Sequence, residues 1–314
     1  MYVHLHGHST FSFLEAIGKP NKISAQAKKL GMEAIALTDY NGMYGAIKFI
    51  GAAKDDDIKP ILGVELGFVL DINTIVQPDQ IGNVVLIAIS DIGYAHLMEL
   101  ISYANTLGIK GKPKIDLATL QKYGEGLLIF FGGVRSWVNK MLMRDEKVEK
   151  IYEIITMIQN TLGQENVYLE IVAQDHILSK DIAQINQFIL QTAQHLSIPC
   201  IVNTDYHYIE ASDKLPWEAA LAIKDGKKMY DQDRRQSSGY YHIMSEEEIR
   251  AILIKNGYDD VIINDWIGNN IAIADRVHVK VKLGQTLFPN YSTPEDIRQL
   301  YDLNKEQLIV STNE

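Results

Sequence analysis

The sequence predicts an α/β fold, read most simply as a (β/α) barrel followed by a mainly helical C-terminal extension. Two observations carry this reading. Short runs rich in Val, Ile and Leu alternate with longer stretches whose apolar residues recur every three or four positions. About seven such repeats fit in the first ~200 residues, the size at which strands and crossover helices close a barrel, although an open doubly wound sheet has the same alternation.

The expected strands are 2–6, 34–38, 60–67, 84–89, 127–131, 167–172 and 198–204. The run 84–89 is continuously apolar, as a parallel strand buried on both faces would be. Between the strands, 22–30 reads as a helix stopped by Gly31, and Ile182, Ile185, Ile189, Ala193 and Leu196 form one helical stripe. After Thr204 the pattern turns helical: Ser245-Glu246-Glu247-Glu248 is a capping box ahead of Ile249, Ile252 and Leu253, and 265–277 reads as a further helix. Pro289 and Pro294 punctuate a linker-like segment, so the expected domains are 1–280 and a linker or lead-in, 281–314.

The 314 residues include 40 acidic and 30 basic side chains, a formal net charge of -10, which excludes a basic nucleic-acid clamp and confines any DNA contact to a local site near the barrel mouth. The hydrophobic fraction of 46% and charged fraction of 22% are those of a folded globular chain. A single cysteine, Cys200, sits in an apolar run, so no internal disulfide forms and a reducing, cytoplasmic setting is expected. No signal-peptide pattern and no apolar run of bilayer length is present, so no membrane association is expected.

The chemistry-bearing residues gather at strand ends. His6 and His8 follow the first run at i and i+2, a spacing that turns both imidazoles to one face. Asp205 and His207 repeat the spacing after the last run, and barrel closure would bring the two pairs side by side. Glu65 interrupts an apolar strand and is costly to bury without a cation or donors. Glu15 lies just beyond the first motif, where a ligand and an exposed helix-start acid are both open readings. Asp39, after the second strand, suits a residue that orients a ligand from behind, or a helix cap. His96, His176, His195, His242 and His278 have no partner at ligand spacing and read as structural. The basic turns 110–114 and 224–228 read as solvated loops. No glycine-rich phosphate loop, nucleophile elbow or Cys-x-x-Cys pair occurs.

Together these residues resemble the PHP (polymerase and histidinol phosphatase) family. The intervening sequence is similar to the N-terminal domain of bacterial DNA polymerase III alpha subunits. That likeness rests on Val3-His4-Leu5-His6-Gly7-His8-Ser9, Ala36-Leu37-Thr38-Asp39, Lys59 to Glu65, Lys112-Pro113-Lys114-Ile115-Asp116, Tyr168-Leu169-Glu170-Ile171, Asn203-Thr204-Asp205-Tyr206-His207-Tyr208 and Asn270 to Arg276. The resemblance implies a distorted seven-stranded barrel with up to three metal ions at its mouth. Carried over by motif, the ligand positions are His6, His8, Glu15, Glu65, Asp205 and His207. Three positions depart from the family: Tyr40 and Asn83 stand where it has histidine, and Gly133 where it often has cysteine. His6, His8, Glu65 and Asp205 would then form one mixed nitrogen and oxygen site suited to Zn²⁺ or Mn²⁺, holding one ion or none.

The resemblance further implies a domain of a DNA-directed DNA polymerase subunit that acts in replication mainly as a structural and interaction module. Its expected partners are the polymerase core of the same subunit and, in some lineages, a proofreading exonuclease. Polymerase carboxylates are expected downstream of Glu314. Phosphoesterase activity is expected to be weak or absent. The alternative is an active metal-dependent phosphoesterase, either a 3′-5′ exonuclease or a small-molecule enzyme such as histidinol phosphatase.

Overall fold

The computed structural model describes residues 1–73, 77–107 and 112–282, with Gly284, Glu295, Ile297 and Gln299. They belong almost wholly to the first of two units, Met1–Lys280 and Val281–Glu314. Most of the segment 281–314 and part of the basic turn 110–114 therefore lie outside the described residues.

The fold is mixed α/β. Seven strands, β1 (Ala34–Leu37), β2 (Lys59–Val69), β3 (Gly82–Ala88), β4 (Lys114–Asp116), β5 (Leu127–Gly132), β6 (Val167–Val172) and β7 (Cys200–Asn203), make one sheet in the order β1-β2-β3-β5-β6-β7, with β4 on the end of β2. Strands β1, β2 and β4 run parallel, as do β5, β6 and β7. β3 is antiparallel to both β2 and β5, contrary to the parallel expectation for the run 84–89. It is nonetheless buried at every residue, because helices α3 (Asp91–Leu107) and α5 (Trp137–Leu142) pack on it. A continuous apolar run reports burial of both faces, and strand direction does not enter.

The count of seven agrees with the sequence, but the membership differs. β4 falls on a stretch, 112–116, that the sequence marks only as a motif. The first expected strand, 2–6, forms no ladder: it lies between β1 and β7, tied by the single bridge Gly7 to Tyr206 and by Ala36 N donating to His4 O at 2.8 Å. Side chains replace the missing ladder, with Leu5 N donating to Asn203 Oδ1 at 2.8 Å and Asn270 Nδ2 to Val3 O at 2.8 Å. Regular alternation also breaks here. Leu5 belongs to the core inside the curl, and the next residue, His6, lies edge-on to Phe130 of the same core.

That core consists of alternate residues, including Ala34 and Ala36 of β1, Val85 and Ile87 of β3, Leu128 and Phe130 of β5, closed below by Ile273, Ala274 and Val277 around the end of helix α10 (Asp260–Arg276). Period two then places a polar layer above it. Ile61 is followed on the same face by Glu65, Tyr168 by Glu170, Ile201 by Asn203, and in the reversed strand Val85 is preceded by Asn83.

The helical expectations hold with shifted ends. Helix α1 (Pro20–Lys29) stops before Gly31 at φ +72°, and α7 (Lys180–Leu196) buries Ile182, Ile185 and Ile189. Ser245 caps α9 (Glu246–Lys255) in a full capping box with Glu248. The expected helix 265–277 begins earlier, because Asp259 accepts from Ile262 N at 2.9 Å and caps α10 there.

Candidate metal centre

The polar layer at the mouth gathers four donors. Nε2 of His6, Nε2 of His8, Oε2 of Glu65 and Oδ1 of Asp205 belong to a group whose ligand atoms all lie within 4.8 Å of one another. His6 Nε2 is 2.9 Å from Glu65 Oε2 and 3.5 Å from Asp205 Oδ1, and His8 Nε2 is 3.1 Å from both. Neither His8 Nε2 nor Asp205 Oδ1 makes a hydrogen bond, although both are buried. Two orphaned polar atoms facing each other are costly unless something sits between them. Two imidazoles with two carboxylate oxygens is also a donor set that suits Zn²⁺ or Mn²⁺.

The far sides of both imidazoles are fixed. His6 Nδ1 donates to Glu170 Oε1 at 2.9 Å, and that oxygen also accepts from Asn203 Nδ2 at 2.9 Å. His8 Nδ1 lies 3.3 Å from Ser12 Oγ, whose own proton goes to Asp39 Oδ1 at 2.7 Å. Asp39 also takes Ser9 N and Ser9 Oγ, each at 2.7 Å, and so ties down the loop carrying His8. A proton held on each Nδ1 leaves each Nε2 lone pair for the cluster. Asp205 itself has φ +52°, a left-handed conformation that a non-glycine residue adopts at a cost and that turns its carboxylate inward. Gly7 is required opposite it, because a Cβ there would lie 2.0 Å from the Tyr206 ring that covers the turn.

Charge follows from the same contacts. Burial opposes protonation of His6, but Glu170, Asp205 and Glu65 outweigh it and raise its pKa well above the ordinary value. His8 is raised for the same reason, by Asp205 and Glu65 against burial. Against burial, the two histidines hold Glu65 well below the usual carboxylate range, and His6, His207 and His8 do so for Asp205. Ion binding would therefore compete with protonation of these rings.

The other sequence-expected residues are placed differently. Glu15 is 7% exposed and faces cations: Arg135 Nη2 is 2.8 Å from Oε2, Arg235 Nη1 is 3.3 Å from the same oxygen, and Lys224 Nζ bonds Oε1. Burial works against its charge, yet Arg135, Lys224 and Arg235 bring its pKa to about 2. Lys224, expected in a solvated turn, is thus paired with Glu15. His207 lies beside His8, its ring tilted by 38° with centroids 4.7 Å apart, but both its nitrogens are engaged: Nδ1 donates to Asp205 O at 2.7 Å and Nε2 accepts from Tyr40 Oη at 3.2 Å. Burial lowers its pKa to about 4, so the ring is neutral.

The altered positions line the same place. Tyr40 stacks on His8 at 3.9 Å between centroids. Asn83 donates Nδ2 to Glu65 Oε1 and receives Lys112 Nζ on its Oδ1, leaving Glu65 Oε2 for the cluster. Gly133, at φ +69°, lines a small void with His6, Glu65, Arg135 and Asp205. A cleft of about 500 Å³ opens on Asp205 and His207 and is lined further by Arg135, Arg235, Ser237 and Tyr241.

Sequence reasoning gave no role to Glu170, although an acid inside the apolar run Val167–Val172 is the same signal that marked Glu65. Arg135 and Lys112 carry no such signal, since basic residues in loops are ordinary. Among the described residues no helix is long and apolar enough to cross a membrane.

Comparison with known proteins bears on the whole chain. DNA polymerase III subunit alpha of Borreliella burgdorferi is 28% identical over 305 residues, covering 95% of this chain and 26% of that protein. The same subunit of Escherichia coli K12 is 28% identical over 295 residues, 93% of this chain and 24% of its own length. The chain thus spans about a quarter of the curated relatives it matches. Among solved structures, a two-domain Bacteroides vulgatus protein containing a PHP-like metal-dependent phosphoesterase aligns at TM-score 0.44 and 13% identity over 81% of this chain and 69% of that one. A zinc-bound histidinol phosphate phosphatase from Lactococcus lactis aligns at TM-score 0.34 and 15% identity over 72% of this chain and 94% of that one. The family model described as PHP domain matches residues 4–174, more than half of the 314. That span runs from before His6 to beyond Glu170, and by it the chain belongs to the PHP domain family.

Proposed function

We propose that this chain is the PHP region of a DNA polymerase III alpha-type subunit, that it holds one divalent ion, Zn²⁺ or Mn²⁺, and that it acts mainly as a structural and interaction module beside the polymerase core. The observation that carries the metal reading is the pair of buried, unbonded atoms, His8 Nε2 and Asp205 Oδ1, 3.1 Å apart within a four-donor cluster. His6, His8, Glu65 and Asp205 would hold the ion, and Glu170, Asp39 and Asn83 would orient them. When bound, such an ion polarises a phosphoryl oxygen or acidifies a water. Phosphodiester hydrolysis commonly employs two ions, and Glu15 and His207 are already satisfied by partners within the chain, which favours a weak or absent hydrolase.

Residues 1–280 form the barrel unit and 281–314 the lead-in to a polymerase palm in this reading; a proofreading exonuclease is a further candidate partner. Elemental mass spectrometry on protein dialysed against trace Zn²⁺ and Mn²⁺ tests the metal count, with one ion per chain expected. A pull-down against a polymerase-core fragment tests the module, and failure to associate at micromolar concentrations would remove that role.

The cleft of about 500 Å³ opening on Asp205 favours a second reading, an active phosphoesterase. Robust metal-dependent 3′-5′ exonuclease activity lost on His8→Ala, or turnover of histidinol phosphate, would put that reading first.

A further inference from the structure

The cluster of four is open to a cation, whereas its neighbour across Tyr40 is closed by one. Arg135 lies two residues beyond Gly133 and lines both the small void at His6 and Glu65 and the outer cleft at His207. Its Nη2 bonds Glu15 Oε2 at 2.8 Å, and its guanidinium carbon stands 4.9 Å from the centroid of the Tyr40 ring. The hydroxyl of that ring donates to His207 Nε2 at 3.2 Å. Glu15, Tyr40 and His207 therefore surround Arg135 or adjoin its partners, and each already has a hydrogen-bond partner within the chain. Lys224 takes Oε1 of Glu15, and Arg235 shares Oε2 while its own charge is met by Asp225, 2.9 Å from Nη2.

We propose that Arg135 is the residue that limits this centre to one ion. Its guanidinium supplies from a side chain the positive charge that a second divalent ion would bring to Glu15, and it repels such an ion from the Tyr40 and His207 side of the cluster. The inference rests on the single-ion reading above and deepens it. It differs from the simpler explanation that a second ion is missing only because Tyr40 offers no imidazole. A carboxylate whose Oε2 is held by Arg135 at 2.8 Å is a poor ligand even beside a new imidazole, since an ion must first displace that charge-assisted bond, whereas Arg235 reaches the same oxygen only at 3.3 Å.

The two explanations separate in a Mn²⁺ titration of the full chain, followed by the electron paramagnetic resonance of free Mn²⁺ and by elemental analysis. The wild type, Tyr40→His, Arg135→Gln, Arg135→Lys and the double variant Arg135→Gln/Glu15→Gln would be compared, with circular dichroism to confirm folding. Expected are one ion in the wild type and in Tyr40→His, a second, weaker binding step in Arg135→Gln, its absence in Arg135→Lys, and its loss again in the double variant. A second ion in Tyr40→His, or no second step in folded Arg135→Gln, would overturn the role of Arg135 while leaving the single-ion reading in place. If Arg135→Gln does not fold, Tyr40→His alone still decides. No ion in the wild type would overturn both.

Discussion

Two carboxylates near the barrel mouth, Glu65 and Glu15, are almost equally buried, at 2% and 7% exposed, and have opposite surroundings. Glu65 meets two imidazoles whose outer nitrogens are anchored to Glu170 and Ser12, so that two lone pairs and a second carboxylate, Asp205, converge on it. Glu15 meets Arg135, Lys224 and Arg235, which satisfy both its oxygens. The difference teaches that burial of an acid does not by itself make a metal ligand. What decides is whether the neighbours carry a permanent charge, as Arg and Lys do, or one that a metal can displace, as a protonated histidine does.

The contrast can be broken most severely at the open cluster. His8→Ala, which removes one of the four donors, and Asp205→Asn, which removes a ligand's charge, should each lower divalent-ion affinity by more than the roughly 10- to 100-fold expected for loss of an outer partner; calorimetric titration with Zn²⁺ measures it. Retention of tight binding by either variant would mean that the ion lies elsewhere. Glu170→Gln, which leaves the four donors intact but weakens the anchor on His6 Nδ1, should cost about 10- to 100-fold in the same titration.

On the closed side the effect moves from binding to stability. Glu15→Gln leaves three cations facing a neutral amide and should destabilise the fold by about 1–3 kcal/mol, held below the fully buried case because Arg135, Lys224 and Arg235 are 39%, 40% and 40% exposed. First-ion affinity should stay within a few-fold. The pH dependence has a definite sign. Because the Glu15 pKa falls from 4.5 to about 2 on folding, its contribution is full above the unfolded value and is lost as pH falls through the folded one. Chemical denaturation of wild type and variant should therefore differ fully above about pH 5 and converge between about pH 4.5 and 2. A constant difference across that range would mean that packing, and not charge, is what the substitution removed. The smallest effect is expected for Tyr40→Phe, which removes the hydroxyl donated to His207: about 1 kcal/mol in a thermal melt, with the ion count unchanged.

By itself the sequence determined much of this molecule. Apolar periodicity marked six of the seven strands, Gly31 and the Ser245 capping box marked helix ends, and the His-x-His and Asp-x-His pairs marked the mouth. These features are legible because they depend on spacing along the chain, which period two or 3.6 converts directly into a shared face. The acid at 170 was equally legible by the same rule, because period two puts it above Tyr168 as it puts Glu65 above Ile61.

Only the tertiary structure decided the rest. Segment 2–6 has the composition of a strand, but Asn203 and Asn270, about 200 or more residues away, take its backbone groups and leave it without a ladder. The reversed direction of β3 is invisible in a run buried on both faces. The division between Glu65 and Glu15 was set by Arg135, Lys224 and Arg235, more than 100 residues beyond Glu15 in the chain. Spacing fixes which way a side chain points, whereas the charge it meets there depends on residues that only folding brings within 3–4 Å, the range over which hydrogen bonds and ion pairs act.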